Sequence, residues 1–297
     1  MKPIDKRTAP DGLILMHKRP GVTSFDALRD IKRQIGSGKA GHTGTLDKFA
    51  EGLLLVLTGR ALRLSRWFTH CDKRYEGTIH FGVETDTIDP EGGVIASAPL
   101  PSRRAVEQAL SLFRGNIEQE PPAYSAIHVD GERASTLARR GEVPEMRGRQ
   151  VTIYRLELLA WEPPYARIFV HCSSGTYIRS LARDIALAAG SRGYLTALLR
   201  TQVAGFKLED ATLGIGGNSS LLPIEKAVFN ALNIPCIDIP PEDAKKAVQG
   251  KPLAQILMHT APASLSGENA ALFSGNAFIA MVEQLNNQWN YGFVYGN

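Results

Sequence analysis

The chain has 297 residues, more than the roughly 100 to 200 of a typical single domain, so we expect one large domain with a smaller companion. Hydrophobic residues make up 43% and charged residues 22% of the sequence, a globular balance that excludes a wholly disordered chain. No apolar run approaches the roughly 18 residues of a membrane-spanning helix. The stretch Met1 to Gly12 is polar and lacks the apolar core of a signal peptide. These features predict a cytoplasmic protein with no membrane partner.

The basic residues are concentrated near the start of the chain. The net charge is only +4, yet residues 1–75 contain 15 Lys and Arg against 7 Asp and Glu, which leaves +8 there and −4 in the remainder. Local positive charge of this kind suits a polyanion, because neutralised phosphates release counterions and the field steers association. The alternative is a solvated helix face, and charge alone does not choose between the two.

The cysteines indicate neither disulfides nor a metal site. Cys71, Cys172 and Cys236 are too few and too dispersed for a disulfide framework or a CxxC pair. We therefore expect reduced thiols. The sequence offers no metal-ligand cluster, so no metal is expected.

The first part of the chain predicts a strand, a helix and a second strand. Leu13 to Met16 is a short apolar run that ends at a turn. Thr23 is followed three residues later by Asp26, which is a capping-box-like helix start, and apolar residues then recur at helical spacing until Gly36. Leu53 to Leu57 is short, apolar and bounded by glycines, which favours a buried strand.

The middle of the chain carries signals for a strand, a loop and a helix. Alternating apolar residues from Tyr75 to Val83 predict a strand with one buried face. The polar, glycine-rich stretch Glu84 to Gly93 predicts a loop. Ser102 to Arg114 predicts a helix that Gly115 ends. Residues 125–149, rich in arginine and with a short helical piece, indicate a projecting lobe.

Two more strands and a helix follow this lobe. Val151 to Trp161 and Arg167 to Cys172 have the apolar content and alternation of strands. A Ser-Gly-Thr turn then leads into a helix from Tyr177 to Ala189, for which we predict Thr176 as the N-cap and Gly190 as the C-cap.

After about residue 233 the sequence changes character. Pro240 to Gly250 predicts a short helix. Ala270 to Gln284 and Trp289 to Tyr295 predict strands around a turn at Leu285 to Gln288. The pattern indicates a small appended β-rich module.

A tight glycine loop carries an acidic residue between the basic helix and the buried strand. The segment Gly41 to Asp47 ends in a carboxylate, and such a loop can hold a side chain rigidly at a surface. One alternative is a plain turn in which Asp47 caps a helix. Another is a phosphate-binding loop, but the lysine and hydroxyl pair of a P-loop is absent. The pattern alone does not decide whether Asp47 is catalytic or only caps a helix after a plain turn.

Several segments resemble, in the correct order, the motifs of the TruB family, the tRNA pseudouridine-55 synthases. The resemblance covers about residues 12–205. The matching segments are Lys18–Ser24 with the KPxGxTS motif, Gly41–Leu53 with the catalytic motif, Asp72–Tyr75 with K-x-Y, Thr85–Asp89 with T-D-T-x-D, Pro121–Ala126 with PPxYSA, Gly175–Arg179 with GTYIR, and Leu199–Thr201 with L-R-R/T.

The resemblance implies a fold, a domain division and an activity. The fold would be α/β (α+β), a pseudouridine synthase fold with a mixed, largely antiparallel central sheet. Residues 1–233 would form the catalytic domain, with a thumb-like insertion at about 125–149, and residues 234–297 a reduced PUA-like RNA-binding module. The chain would be a monomer that isomerises a uridine in the T-arm of tRNA with no cofactor.

The resemblance also implies site residues. Asp47 would be the essential catalytic carboxylate, and Arg179 would pair with it and keep it ionised and aimed. Tyr75 would stack on a uracil flipped out of the RNA, and His42 would occupy the space that the base vacates. The further substrate-binding positions implied are Asp89, Tyr177 and Leu199.

One position departs from the family pattern, and three questions stay open. The family usually has proline after the catalytic aspartate, whereas this chain has Lys48, which either loosens the turn or adds a phosphate contact. Asp47 could attack the sugar C1′, add to uracil C6, or assist removal of the C2′ proton. The alternative functions are a tRNA-folding chaperone and a synthase that acts on another RNA.

Overall fold

The computed structural model describes residues 9–36, 38–129, 131–142, 144–211, 221–257 and 268–296. Most of the polar stretch Met1 to Gly12, from which we expect a chain without a signal peptide, lies outside the described residues. Every residue that the sequence analysis assigns to the site is described.

The described residues form α-helices of 5 to 11 residues and strands of 2 to 14 residues. The α-helices are α1 (Ser24–Gln34), α2 (Ser65–Thr69), α3 (Arg103–Leu112), α4 (Ala134–Arg139), α5 (Ile178–Ala188), α6 (Lys226–Ala231), α7 (Pro241–Val248) and α8 (Leu253–Leu257), with 3₁₀ turns at Gly59–Leu64 and Leu208–Asp210. The strands are β1 (Gly12–Lys18), β2 (Ala40–His42), β3 (Glu51–Thr58), β4 (Lys73–Phe81), β5 (Val83–Thr85), β6 (Val94–Ser97), β7 (Gly115–Gln119), β8 (His128–Val129), β9 (Glu132–Arg133), β10 (Arg149–Glu162), β11 (Tyr165–Cys172), β12 (Gly193–Val203), β13 (Phe206–Lys207), β14 (Leu221–Leu222), β15 (Cys236–Asp238), β16 (Asn269–Ser274), β17 (Ala277–Leu285) and β18 (Gln288–Val294).

The main sheet is mixed and largely antiparallel, which confirms the fold class. Its strand order is β14-β1-β3-β12-β4-β11-β10-β7, with β2 paired to β3 and β13 to β12. Among the described strands of this sheet, β3 and β12 run parallel and the other neighbours are antiparallel. The sheet therefore places β3, β12 and β4 side by side. A small β8–β9 hairpin and α4 occupy the predicted thumb-like lobe.

Strand β3 is buried on both faces, by α1 on one side and by a cluster that reaches the C-terminal strands on the other. Leu54 and Val56 contact a cluster with Leu28 and Ile31 of α1. The opposite face, including Leu55, belongs to a cluster that extends into the C-terminal strands. A strand covered on both faces is apolar throughout rather than alternating. The strand and the helix that the sequence predicts here are both confirmed.

The helix α5 packs against β4, β11 and β12 through residues at helical spacing. Its buried face includes Ile178, Leu181 and Ile185. The sequence predicted this helix but missed β12, because the apolar residues of that strand, which is buried in the middle of the sheet, do not alternate regularly.

The predicted N-cap of α5 is wrong. The N-cap is Tyr177, whose side chain makes no capping bond. Thr176 instead donates its hydroxyl to the carbonyl of Ser173 at 3.0 Å, because the turn through Gly175, with φ of 81°, directs it backwards. The C-cap is Ala189, one residue before the predicted Gly190, which follows it with φ of 73°, the left-handed conformation that glycine commonly adopts just after a helix.

The described part of the C-terminal module contains four strands, two more than the sequence predicts, because β15 was not predicted and one predicted strand is a pair. The segment Ala270–Gln284, predicted as one strand, is an antiparallel pair, β16 and β17, that turns at Gly275 with φ of 60°. The predicted turn before β18 is confirmed, with Asn286 and Asn287 both at positive φ. In the described part of the module the strand order is β15-β16-β17-β18.

Three arginines at a spacing of three residues, Arg60, Arg63 and Arg66, join the segment that follows β3 to the C-terminal strands. Side chains at i and i+3 eclipse in a 3₁₀ helix, so Arg60 and Arg63 point the same way. The guanidinium carbon of Arg60 lies 4.6 Å from the ring centroid of Tyr295, and that of Arg63 lies 4.3 Å from the ring centroid of Phe293. Arg66 continues the row in α2, where its Nη2 pairs with Glu283 Oε2 of β17 at 2.9 Å. Ion pairs and ring contacts therefore reinforce the shared apolar cluster at this junction.

No helix among the described ranges is long and apolar enough to cross a membrane.

Where β3 pairs with β12, the sheet has no room for a side chain at Gly52. Gly52 has φ of 113°, and a Cβ atom there would lie 2.3 Å from the carbonyl oxygen and 2.6 Å from the amide nitrogen of Arg200. Both atoms belong to backbone within the sheet, so neither can move aside cheaply. A glycine is required at this position for two independent reasons, conformation and space.

We expect Gly52→Ala to lower the free energy of unfolding by about 2 to 5 kcal/mol, since it adds backbone strain to an overpacked contact. Urea denaturation followed by circular dichroism measures the change. The matched control is Gly38→Ala, because a Cβ atom at Gly38 meets nothing within 4 Å. An unchanged urea midpoint for Gly52→Ala would contradict the claim that the β3–β12 pairing requires glycine at this position.

Candidate active site

The loop that carries Asp47 joins β2 to β3 and is fixed to the start of α1. The Ser24 hydroxyl accepts the Leu46 amide at 2.9 Å and lies 3.0 Å from the Leu46 carbonyl, to which it donates. The Gly21 amide donates to the carbonyl of Lys48 at 2.8 Å. The residues on both sides of Asp47 are thus anchored through their backbones, which leaves its side chain free to face outward.

A buried lysine supports the same turn. The ammonium group of Lys18 donates to the carbonyls of Arg19, Val22 and Lys48, at 3.0, 2.6 and 3.4 Å. Burial lowers the pKa of Lys18 to about 8, and the nearby charge of Asp47 opposes that fall. This lysine therefore joins the turn after β1 to the loop that carries Asp47.

Arg200 of β12 clamps the loop from below. It is 2% exposed. Its guanidinium donates to the carbonyls of Leu53, Gly44 and Thr45, at 2.7, 3.1 and 3.4 Å. A buried arginine that serves three carbonyls fixes the path of the backbone, because each carbonyl would otherwise be left without a partner.

Arg179 and Asp47 form the ion pair that the resemblance implies. Arg179 Nη2 donates to Asp47 Oδ1 at 3.0 Å, and Arg179 Nε lies 3.0 Å from Asp47 Oδ2. The Nε group makes no hydrogen bond, so its contact with the carboxylate is ionic only. The Arg179 side chain is 5% exposed and that of Asp47 35% exposed. The carboxylate is therefore held from inside and open on the outside.

The rest of the Arg179 guanidinium binds the loop between β5 and β6. Its Nη1 donates to the Thr87 carbonyl at 2.9 Å and pairs with Asp89 Oδ2 at 3.2 Å, and Nη2 also donates to the Tyr124 carbonyl at 3.0 Å. One buried guanidinium therefore connects three distant segments of the chain.

Asp89, predicted as a substrate-binding residue, is buried against Arg179. It accepts the Thr87 hydroxyl at 2.5 Å and the Glu91 amide at 3.0 Å. Burial raises the pKa of Asp89, while these hydrogen bonds and the Arg179 charge oppose the rise. The structure places Asp89 where it can act on Asp47 through Arg179.

Tyr75 and His42 lie beside the Asp47 loop. Tyr75 is 6% exposed and packs with Leu46. Burial raises the pKa of its hydroxyl to about 12. His42 ends β2, and its Nδ1 is buried without a partner. Burial and the Arg200 charge lower the pKa of His42, which favours a neutral imidazole.

Tyr177 and Leu199 are less closely tied to the carboxylate. Tyr177 is half-buried, and the guanidinium of Arg149 lies 5.1 Å from its ring centroid. Leu199 is half-buried in a shallow cavity of about 340 Å³ whose lining includes Pro20 and Phe49 but neither Asp47 nor Tyr75. In the sheet Leu199 pairs with Glu76, and therefore faces away from Tyr75.

Sequence reasoning missed the structural role of the buried cations. Lys18, Lys73 and Arg200 surround the base of the loop, and burial lowers the pKa of Lys73 to about 8, helped by the Arg200 charge. Each of the three adjoins or lies within an apolar strand, where a charge is unusual. That position in the strand is the signal from which their burial could have been inferred.

Lys48, which stands where the family usually has proline, pairs with an acidic residue of the loop between β5 and β6. Its ammonium group pairs with Glu91 Oε1 at 2.8 Å, and this contact raises the pKa of Lys48. Both side chains are about half exposed, at 51% and 43%.

Within the described ranges no group of three or more His, Cys, Asp or Glu residues is placed to hold a metal ion. Cys71, Cys172 and Cys236 are unpaired in the structure. The chemically distinctive feature of the site is therefore a single accessible carboxylate on a rigid loop. Such a group can serve as a nucleophile or a base.

The sequence is similar to known pseudouridine synthases. It matches the TruB family pseudouridylate synthase (N terminal domain) over residues 32–178. A tRNA pseudouridine synthase B of Aromatoleum aromaticum is 41% identical over 257 residues, which cover 84% of this chain and 83% of that protein. One of Borreliella burgdorferi (strain ZS7) is 41% identical over 206 residues, 68% of this chain and 73% of that protein.

The fold agrees with these sequences. A chain in the crystal structure of a Cbf5-Nop10-Gar1 complex has a TM-score of 0.69 at 24% identity, covering 95% of this chain and 82% of that one. The sequence matches show that the chain is a pseudouridine synthase. The chain belongs to the TruB family, which confirms the resemblance drawn from its motifs.

We expect Arg179→Lys to lower the single-turnover rate at saturating enzyme by about 10- to 1,000-fold, although it keeps the charge. One ammonium group cannot reach two carboxylates and two carbonyls at once, so the Asp47 carboxylate is no longer held in a fixed orientation. The matched control is Arg183→Lys, one turn further along α5, which should retain nearly the parental rate. Equal rates for the parent and Arg179→Lys would contradict the proposed pairing role.

Proposed function

We propose that the protein converts uridine 55 in the T-loop of tRNA to pseudouridine, with Asp47 as the catalytic carboxylate. The observation that carries the proposal is an open carboxylate held by a buried arginine in a chain of the TruB family. The relatives named tRNA pseudouridine synthase B support tRNA as the substrate. We further propose that the protein acts in the cytoplasm as a monomer, without a metal or cofactor.

The reaction is an isomerisation, so it balances without a redox partner or a group donor. The C1′–N1 glycosidic bond breaks, the uracil rotates, a C1′–C5 bond forms, and the proton lost from C5 is replaced by one gained at N1. Asp47 can contribute by attack at C1′, by addition to C6, or by removal of the C2′ proton. Each route needs the carboxylate beside the nucleoside, and the Arg179 guanidinium, 3.0 Å from Asp47 Oδ2, holds it in position.

The target uridine lies within a folded RNA loop and must be flipped into the site at a cost of a few kcal/mol. In this proposal Tyr75 stacks on the flipped uracil, which contributes about 1 to 3 kcal/mol. Because Tyr75 is 6% exposed, its neighbours must move aside as the RNA binds. His42, whose neutral ring makes no hydrogen bond through Nδ1, is suited to fill the space that the base leaves.

The remaining predicted residues act around this centre. Tyr177, beneath Arg149, borders the sugar and base, and Leu199 supports the rim near Phe49. Asp89 positions Arg179. The domain division proposed is 1–233 for catalysis, with the lobe at 125–149 gripping the RNA loop, and 234–297 as the reduced PUA-like RNA-binding module.

The proposal is tested with an unmodified tRNA transcript incubated with the purified protein and no added cofactor, followed by mapping of pseudouridine. The expected product is a single pseudouridine at position 55. Product at a different uridine would contradict the assigned position, and no product at any uridine would contradict the enzymatic function.

We expect Asp47→Asn to abolish product formation while the Kd for tRNA changes by less than about threefold. One carboxylate performs the chemistry, whereas many phosphate contacts share the binding. The matched control is Asp30→Asn, an exposed aspartate on α1, which should remain active. Activity retained by Asp47→Asn would refute the catalytic assignment.

A further inference from the structure

We propose that the ion pair between Lys48 and Glu91 closes a ring of contacts that positions the catalytic carboxylate. Lys48 and Glu91 are positioning residues in this account, because they act on Asp47 through other groups. The inference rests on the proposed role of Asp47. It assigns a function to the position at which the sequence departs from the family pattern.

The ring can be followed atom by atom. Lys48 Nζ lies 2.8 Å from Glu91 Oε1. The Glu91 amide donates to Asp89 Oδ1 at 3.0 Å, and Asp89 Oδ2 pairs with Arg179 Nη1 at 3.2 Å. Arg179 Nη2 then donates to Asp47 Oδ1 at 3.0 Å, and the peptide bond from Asp47 to Lys48 completes the circuit.

The Glu91 side of the ring is held by its own loop. The Asp86 carboxylate accepts the Gly93 amide at 2.9 Å, and the Thr85 hydroxyl donates to the Asp89 carbonyl at 2.8 Å. These bonds fix both ends of the turn that presents Glu91. A displacement of Glu91 therefore also displaces Asp89.

The Lys48 side is held only through the backbone. Its carbonyl accepts the Gly21 amide and the Lys18 ammonium, but its φ angle has no ring constraint of the kind proline would impose. The ion pair to Glu91 supplies a second tie between this turn and the loop that carries Asp89. It also neutralises the one acidic side chain of the ring that Arg179 does not contact, Glu91.

The pair is solvent-exposed, so its effect must be modest and sensitive to salt. Exposed ion pairs couple weakly, and breaking this one should lower the saturating single-turnover rate by about two- to fivefold. Added salt should lower the parental rate towards that of the variants, since screening weakens the same contact.

The competing role for Lys48 is a direct contact with an RNA phosphate. That role predicts that Lys48→Met raises the Kd for tRNA and lowers the dependence of log Kd on log salt concentration by about one unit. It also predicts no loss of rate for Glu91→Gln. Positioning predicts the opposite division, with the saturating rate lowered and Kd nearly unchanged for both variants.

The test is a double-mutant cycle with a charge exchange, measured as single-turnover rate and Kd on a tRNA transcript. Lys48→Met, Glu91→Gln and their combination should each be about two- to fivefold slower, with the double variant no slower than the worse single one. Lys48→Glu combined with Glu91→Lys should recover most of the rate. The matched controls are variants that break the exposed ion pair between Arg103 and Glu107 of α3, whose N–O distance is also 2.8 Å. These variants should change neither the single-turnover rate nor the Kd.

Two outcomes overturn the proposal. One is a parental rate at low salt for both single variants, and the other is multiplicative losses with no recovery on charge exchange. These results are distinct from a failure of the proposed function, which would appear as absence of product from the parent protein or activity of Asp47→Asn. Urea midpoints close to the parental value exclude misfolding of these surface variants as the cause.

Discussion

One buried guanidinium organises this protein. Arg179 contacts the carboxylates of Asp47 and Asp89 and the carbonyls of Thr87 and Tyr124. A buried charge is tolerated only when it is paired and hydrogen-bonded, so the surrounding chain must supply all of these acceptors together. The same requirement keeps the Asp47 carboxylate in one orientation, and the arrangement of the loops around α5 follows from it.

The sheet brings these acceptors together from distant parts of the sequence. The parallel pairing of β3 with β12 puts the Asp47 loop above Arg200, and the absence of a side chain at Gly52 permits that approach. Lys18 holds the far side of the loop from β1. Backbone carbonyls and buried cations thus provide the rigidity, while the exposed side of Asp47 remains available to RNA.

Local patterns predicted most of the elements, but not their mutual contacts. The apolar run of β3 and the N-cap of α1 were readable because their causes lie within a few residues. Thr176 was wrongly predicted as a cap, because the turn at Gly175 reverses its hydroxyl. The pairing of Arg179 with Asp47 was implied by resemblance, whereas its second partner Asp89 and the clamp by Arg200 depend on tertiary contacts across ninety residues or more, which no local pattern encodes.

The central claim is that Arg179 and Asp89 act as one unit on Asp47. The most direct test is a double-mutant cycle of Arg179→Lys and Asp89→Asn, read as the single-turnover rate of pseudouridine formation at saturating enzyme. The account predicts that the double variant is no slower than the worse single variant, because either change alone already releases the carboxylate. Losses that multiply as for two independent residues would contradict it.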